Sequence, residues 1–94
     1  MQTRLKGYAD YGLTDKRVKE IMEYCRTSAD REVIELAAEK ANPSIAAYLV
    51  ESVRERMSYD KLYKKYFIPL CRGDFYGYRR LTISLLDSAV PKVM

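Results

Sequence analysis

The sequence predicts an all-α fold, a small bundle of about five helices that ends in a helix-turn-helix. Three observations predict it. Apolar residues recur at three- and four-residue spacing along most of the chain, and no segment alternates as a half-buried strand does. Ser, Thr, Asn or Asp stands ahead of the first four periodic runs, and Pro43, Pro69 and Pro91 punctuate them. The length of 94 residues with 48% hydrophobic content suits one domain, 1–94, around one small core.

Residues 1–13 hold Gly7, Tyr8, Tyr11 and Gly12 without a period and are expected to form an N-terminal arm. Thr14 is an N-cap residue, and Asp15 suits the positive end of a helix dipole. Val18, Ile21, Met22 and Cys25 then form one stripe, which predicts a first helix over about 15–26. Ser28 or Asp30 caps a second helix with Val33, Ile34, Ala37, Ala38 and Ala41 inward. Its small residues predict close packing. Asn42-Pro43 opens a third helix, expected over about 43–57, because Pro at the first helical position forfeits only an N–H that has no partner there. Ile45, Tyr48, Leu49, Val53 and Met57 are its expected inner face, which makes 14–57 a three-helix support. Ser58 caps the fourth helix, whose stripe is Tyr59, Leu62, Tyr63 and Tyr66. Pro69 disfavours helix at Ile68 and so forces a turn. The last helix is expected from Cys71 or Arg72 to about residue 89, with Phe75, Tyr78, Leu81, Thr82, Leu85, Leu86 and Ala89 inward and Pro91 ending it. Residues 58–90 are thus two helices joined by a turn, the proportions of a helix-turn-helix.

Composition excludes much chemistry. There is no histidine, which removes His-based acid–base catalysis and the commonest metal ligand. There is no phosphate-binding glycine loop, and the carboxylates lie among Lys and Arg at helical spacing, as solvated helix surface does. Neither a cofactor nor a metal is expected, and the protein is not expected to be an enzyme. Cys25 and Cys71 have no metal-ligand spacing and suit buried thiols of a reducing compartment. No apolar run is long enough to span a membrane and no signal peptide is visible, so a cytoplasmic location is expected.

The charge is informative because it is localised. Residues 1–57 hold ten basic and ten acidic side chains, whereas 58–94 hold seven basic against three acidic. The whole net charge of +4 therefore lies in the C-terminal block, where arginine, tyrosine and glycine crowd into Arg72-Gly73-Asp74-Phe75-Tyr76-Gly77-Tyr78-Arg79-Arg80. A local basic block with interleaved aromatics suits a polyanion, most often nucleic acid. Arg72, Tyr76 and Arg80 fall near one line of the last helix, with Arg79 beside it. Arginine binds guanine edges with two parallel bonds, and lysine serves phosphates. Lys61, Lys64 and Lys65 of the preceding helix are the candidate phosphate contacts. The plainer account is that these are solvated surface charges. Tyr59, Tyr63, Tyr66 and Tyr78 are expected in the core rather than as stacking platforms; Tyr76 alone is expected to face outward.

Ser58-Tyr59-Asp60-Lys61-Leu62, a turn, and then the Cys71–Arg80 string with its leucine tail resemble the C-terminal helix-turn-helix of phage transcription activators of the RinA/ArpU type. Those are similar to region four of bacterial sigma factors. The resemblance covers about residues 50–89. It implies a sigma region-four-like fold, duplex DNA as partner, and DNA contact through Arg72, Tyr76, Arg79 and Arg80. Cys71 stands where the family has a Ser cap, the turn carries Pro69, and Asp74 puts a carboxylate in the reading helix. The whole also resembles small proteins of mobile elements, which implies a phage or conjugative origin. The expected function is a small DNA-binding transcription regulator. The alternative is a protein-interaction module that binds RNA polymerase or inhibits a host nucleic-acid enzyme. A homodimer is a further option, and no membrane partner is expected.

Overall fold

The computed structural model describes residues 6–27 and 31–91. Five α-helices follow a short 3-10 turn, Tyr8–Tyr11: α1 Asp15–Thr27, α2 Arg31–Ala41, α3 Ala46–Glu55, α4 Tyr59–Lys65 and α5 Arg72–Leu86. No strand occurs among the described residues, so the all-α class stands.

Local chemistry sets most boundaries. The Thr14 hydroxyl accepts from the Arg17 N–H at 3.1 Å and opens α1. Gly12 ends the 3-10 turn at φ 74°, a left-handed conformation that glycine adopts without a Cβ clash. The expected Ser28 or Asp30 cap of α2 lies outside the described residues. Asn42 accepts from Ser44 N–H at 3.0 Å, but Pro43–Ile45 form a 3-10 turn and α3 begins only at Ala46. α3 also stops two residues short of the expected Met57, because Arg56 turns left-handed at φ 54°. Ser58 caps α4 through the Lys61 N–H at 3.2 Å. The N-cap of α5 is Cys71, whose side chain makes no capping bond.

α5 is the central element, in contact with all four other helices and with the Tyr8–Tyr11 turn. Its most extensive neighbour is α2, where Ala37 and Ala38 meet it with short side chains. Ile21, Ile34, Leu49, Val53, Leu62, Phe75, Ile83 and Leu86 fill the core. Being covered on several sides, α5 buries more than one stripe: Gly77 and Ile83 are buried although neither lay on the expected face. Leu85, expected inward, is 38% exposed, and Ala89 is exposed. Val33 also lies outward, at 36%, because the narrow Ile34-Ala37-Ala38 stripe suffices against α5.

α5 ends at Leu86, short of the expected residue 89. Just beyond that end, Arg17 of α1 donates to the Asp87 carboxylate (2.6 Å) and to the carbonyls of Asp87 (2.8 Å), Val90 (2.7 Å) and Pro91 (3.2 Å). Arginine thus satisfies the C-cap carbonyl of Asp87 and two carbonyls of the segment that follows α5. Cys25 is a buried free thiol, as expected, but Cys71 is an exposed one.

Candidate nucleic-acid interface

The seven candidate residues divide between two environments. Four gather around the start of α4. Lys61 and Lys64 are exposed, and their side chains make no hydrogen bond or ion pair among the described residues. Arg72, at the first position of α5, reaches across to the Asp60 carboxylate at 2.6 Å. Tyr76 is half-buried, and its hydroxyl accepts from the Tyr59 N–H at 2.9 Å. That bond satisfies one of the N–H groups a helix start leaves without an internal partner. Tyr76 therefore ties α5 to the beginning of α4 rather than standing clear of the protein.

The other three point elsewhere. Lys65 pairs with Glu51 of α3 at 2.9 Å and lies over the Tyr66 ring. The Glu51 hydrogen bond, then that of Tyr66, raises its pKa. Its groove, about 740 Å³, is a different one, lined by Tyr48, Arg54, Glu55 and Tyr66 among others. Arg79 is half-buried and donates to the Ser52 hydroxyl at 2.9 Å, while Ser52 donates to the Met57 carbonyl at 2.7 Å. Arg80 donates to the Lys6 carbonyl at 2.6 Å and so holds the N-terminal arm. Both guanidiniums lie near Tyr8, whose pKa is raised by burial and drawn back by their charge.

The surface beside Lys64 holds Tyr63, which the sequence placed in the core, and Phe67 of the following turn. Tyr63 is 48% exposed and Phe67 74% exposed. Their rings are 6.1 Å apart, and Tyr59, Tyr63, Asp60 and Lys64 line a shallow recess of about 420 Å³. α4 is short enough that Leu62, with Ile68 in the following turn, supplies its buried contact; Tyr63 and Phe67 are left outside.

No family model, curated protein or solved structure matches this chain.

α4 and the first turn of α5 form a corner that carries Lys61, Lys64 and Arg72. Lysine offers phosphates a mobile point charge, and Arg72 adds a planar donor at a helix start. Asp60 lies in the same corner, with its charge offset by Arg72.

Proposed function

We propose that the protein is a small DNA-binding transcription regulator, of phage or mobile-element descent, that takes duplex DNA against the α4–α5 corner. In this reading α4, the turn over 66–71 and α5 form a helix-turn-helix of the sigma region-four-like, RinA/ArpU type. The observation that supports it best is the exposed lysine pair, Lys61 and Lys64, without a partner among the described residues and next to Arg72. It lies on the C-terminal block that carries the whole net charge of +4. Lys61 and Lys64 serve the phosphate backbone, whereas Lys65, paired with Glu51, lies outside the contact. Arg72 and Tyr76 stand at the end of α5 that enters the groove. Arg79 and Arg80 steady α5 and add to the field.

The test is binding to a short random-sequence duplex, followed by fluorescence anisotropy from about 50 to 200 mM salt. Each neutralised phosphate contributes a slope of about −0.9 in log affinity against log salt. Changing Lys61 and Lys64 together to Ala is expected to make the slope shallower by about 1.8 and leave folding unchanged. No duplex binding at low salt, or an unaltered slope, overturns the reading.

One observation favours a second reading, a module that binds RNA polymerase or inhibits a host nucleic-acid enzyme. Leu36 is 57% exposed on α2 beside Val33. Under that reading Leu36→Lys abolishes capture of the protein partner, and Lys61→Ala with Lys64→Ala does not.

A further inference from the structure

An aromatic ladder leads from the core to the surface at the α4–α5 corner. It starts at Phe75, which is fully buried. Tyr59 packs on Phe75 with ring centroids 5.6 Å apart, Tyr63 on Tyr59 at 5.7 Å, and Phe67 on Tyr63 at 6.1 Å. The inner rungs are fixed: the Tyr59 hydroxyl donates to the Leu70 carbonyl at 2.6 Å, and Tyr76 meets Phe75 edge-on at 5.9 Å. The outer rungs open to water, Tyr63 by half and Phe67 by three-quarters. Ile68, next in the chain, is 2% exposed and pins the loop that carries Phe67.

Single exposed apolar side chains are ordinary; two adjacent aromatic rings on a rigid base, with Lys64 beside them, are not. Lys64 shares the recess of Tyr59 and Tyr63. The carboxylate in that recess, Asp60, is held by Arg72. Open ring faces beside cationic groups are the two elements of single-strand recognition: bases stack on the rings while the phosphates follow the charge. Duplex DNA would use only the second element, because its bases already stack on one another.

We infer that Tyr63 and Phe67 form a stacking platform for unpaired bases of single-stranded DNA, with Lys64 holding the adjoining phosphate. The inference rests on the DNA-binding reading above and names a preferred form of its ligand, the unpaired strand that a locally opened duplex exposes. Charge complementarity selects this occupant over an apolar partner, since the rim of the ladder is basic.

The test compares fluorescein-labelled oligothymidylate, oligouridylate and a random duplex, all at low salt, against the parent chain, Phe67→Ala and Phe67→Tyr. The parent is expected to bind oligothymidylate more tightly than duplex. Loss of one stacking ring is expected to weaken single-strand binding by roughly five- to a hundredfold, with duplex binding unchanged. Phe67→Tyr keeps an aromatic face and is expected to restore affinity. Equal single-strand affinity in the parent and Phe67→Ala overturns the platform, yet leaves the duplex reading standing if Lys61→Ala with Lys64→Ala still weakens duplex binding. Binding of neither form overturns both. Tighter binding to oligouridylate overturns the assignment to DNA. Self-association of the parent that Phe67→Ala abolishes, without an effect on oligothymidylate, gives the patch to a second copy of the chain and overturns the proposal.

Discussion

Arg17→Ala tests the idea that the segment after α5 is tied down from α1. The Arg17 side chain is only 11% exposed, so its donors have little access to water. It bonds the Asp87 carboxylate at 2.6 Å and the carbonyls of Asp87 and Val90 at 2.8 and 2.7 Å. Hydrogen bonds to charged groups contribute about 1.5–3 kcal/mol each in favourable cases. The carboxylate is 34% exposed and regains water after the substitution, so its share is discounted. The weaker contacts to Glu20, at 3.3 Å, and to the Pro91 carbonyl, at 3.2 Å, add little. A loss of about 3 kcal/mol remains, against a total stability of about 5–15 kcal/mol for such a domain. It corresponds to about 12–24 °C in Tm for a chain of this size. Urea and thermal unfolding followed by circular dichroism measure it. Arg17→Lys keeps the charge without the planar fork and should fall between parent and Ala. Arg31→Ala, whose pair with Glu35 is exposed on both sides, should stay within about 0.5 kcal/mol of the parent. A fall in Tm under about 5 °C for Arg17→Ala refutes the reasoning.

Further outcomes follow from the thiols and the alkaline titrations. A disulfide reagent should modify exposed Cys71 at once and buried Cys25 only on unfolding, and equal rates would place both on the surface. Burial pushes the Cys25 thiol up from 9.0 to about 11, with Arg54 opposing it weakly. A raised pKa means that the folded state holds its proton longer than the unfolded chain. Stability is then fully present below pH 9 and is lost as pH rises towards 11, by about 2–3 kcal/mol from this group. Tyr8 and Tyr59, raised by burial, and Lys65, raised by Glu51, shift in the same direction and deepen the same alkaline loss. Urea midpoints across that range should fall monotonically, and Cys25→Ala should flatten the earliest part. Tyr76→Phe removes the acceptor for the Tyr59 N–H and should cost about 1 kcal/mol in unfolding experiments.

The helix class was legible because its signals are local. Thr14, Asn42 and Ser58 each accept a backbone N–H as their residue types predict, and Leu62, Phe75 and Leu86 lie buried where periodicity puts them. The misplacements have long-range causes. The segment after Leu86 is tied down by a guanidinium 70 positions earlier in the chain, and no window around Pro91 contains that information. Leu85 and Ile83 exchanged their expected roles because α5 has neighbours on several sides, which a single-stripe argument does not represent. Arg79 could be recognised as a charge but not as the donor to Ser52, 27 positions away. Tyr63 lay on the apolar side of the α4 wheel, yet α4 is too short and too far to the edge for that whole side to be covered. Phe67 precedes Ile68 in the turn before Pro69, and of the two it is Ile68 that faces inward.

These displacements alter where a ligand-facing surface is to be sought. Sequence spacing concentrated attention on α5, because its charges are the most crowded. In the fold that helix is the hub of the core, and its tyrosines and arginines largely act between elements: Tyr76 on α4, Arg79 on α3 and Arg80 on the arm. A central helix cannot also present all of its polar side chains to an external groove. The exposed positive charge falls instead on short α4, whose lysines cost the fold nothing to leave in water. That assignment of labour explains why a helix of only seven residues carries three lysines and two partly open tyrosines around a single buried leucine. Its packing requirement is met by Leu62 and by its bond to Tyr76, which leaves the rest of its surface free to meet a ligand.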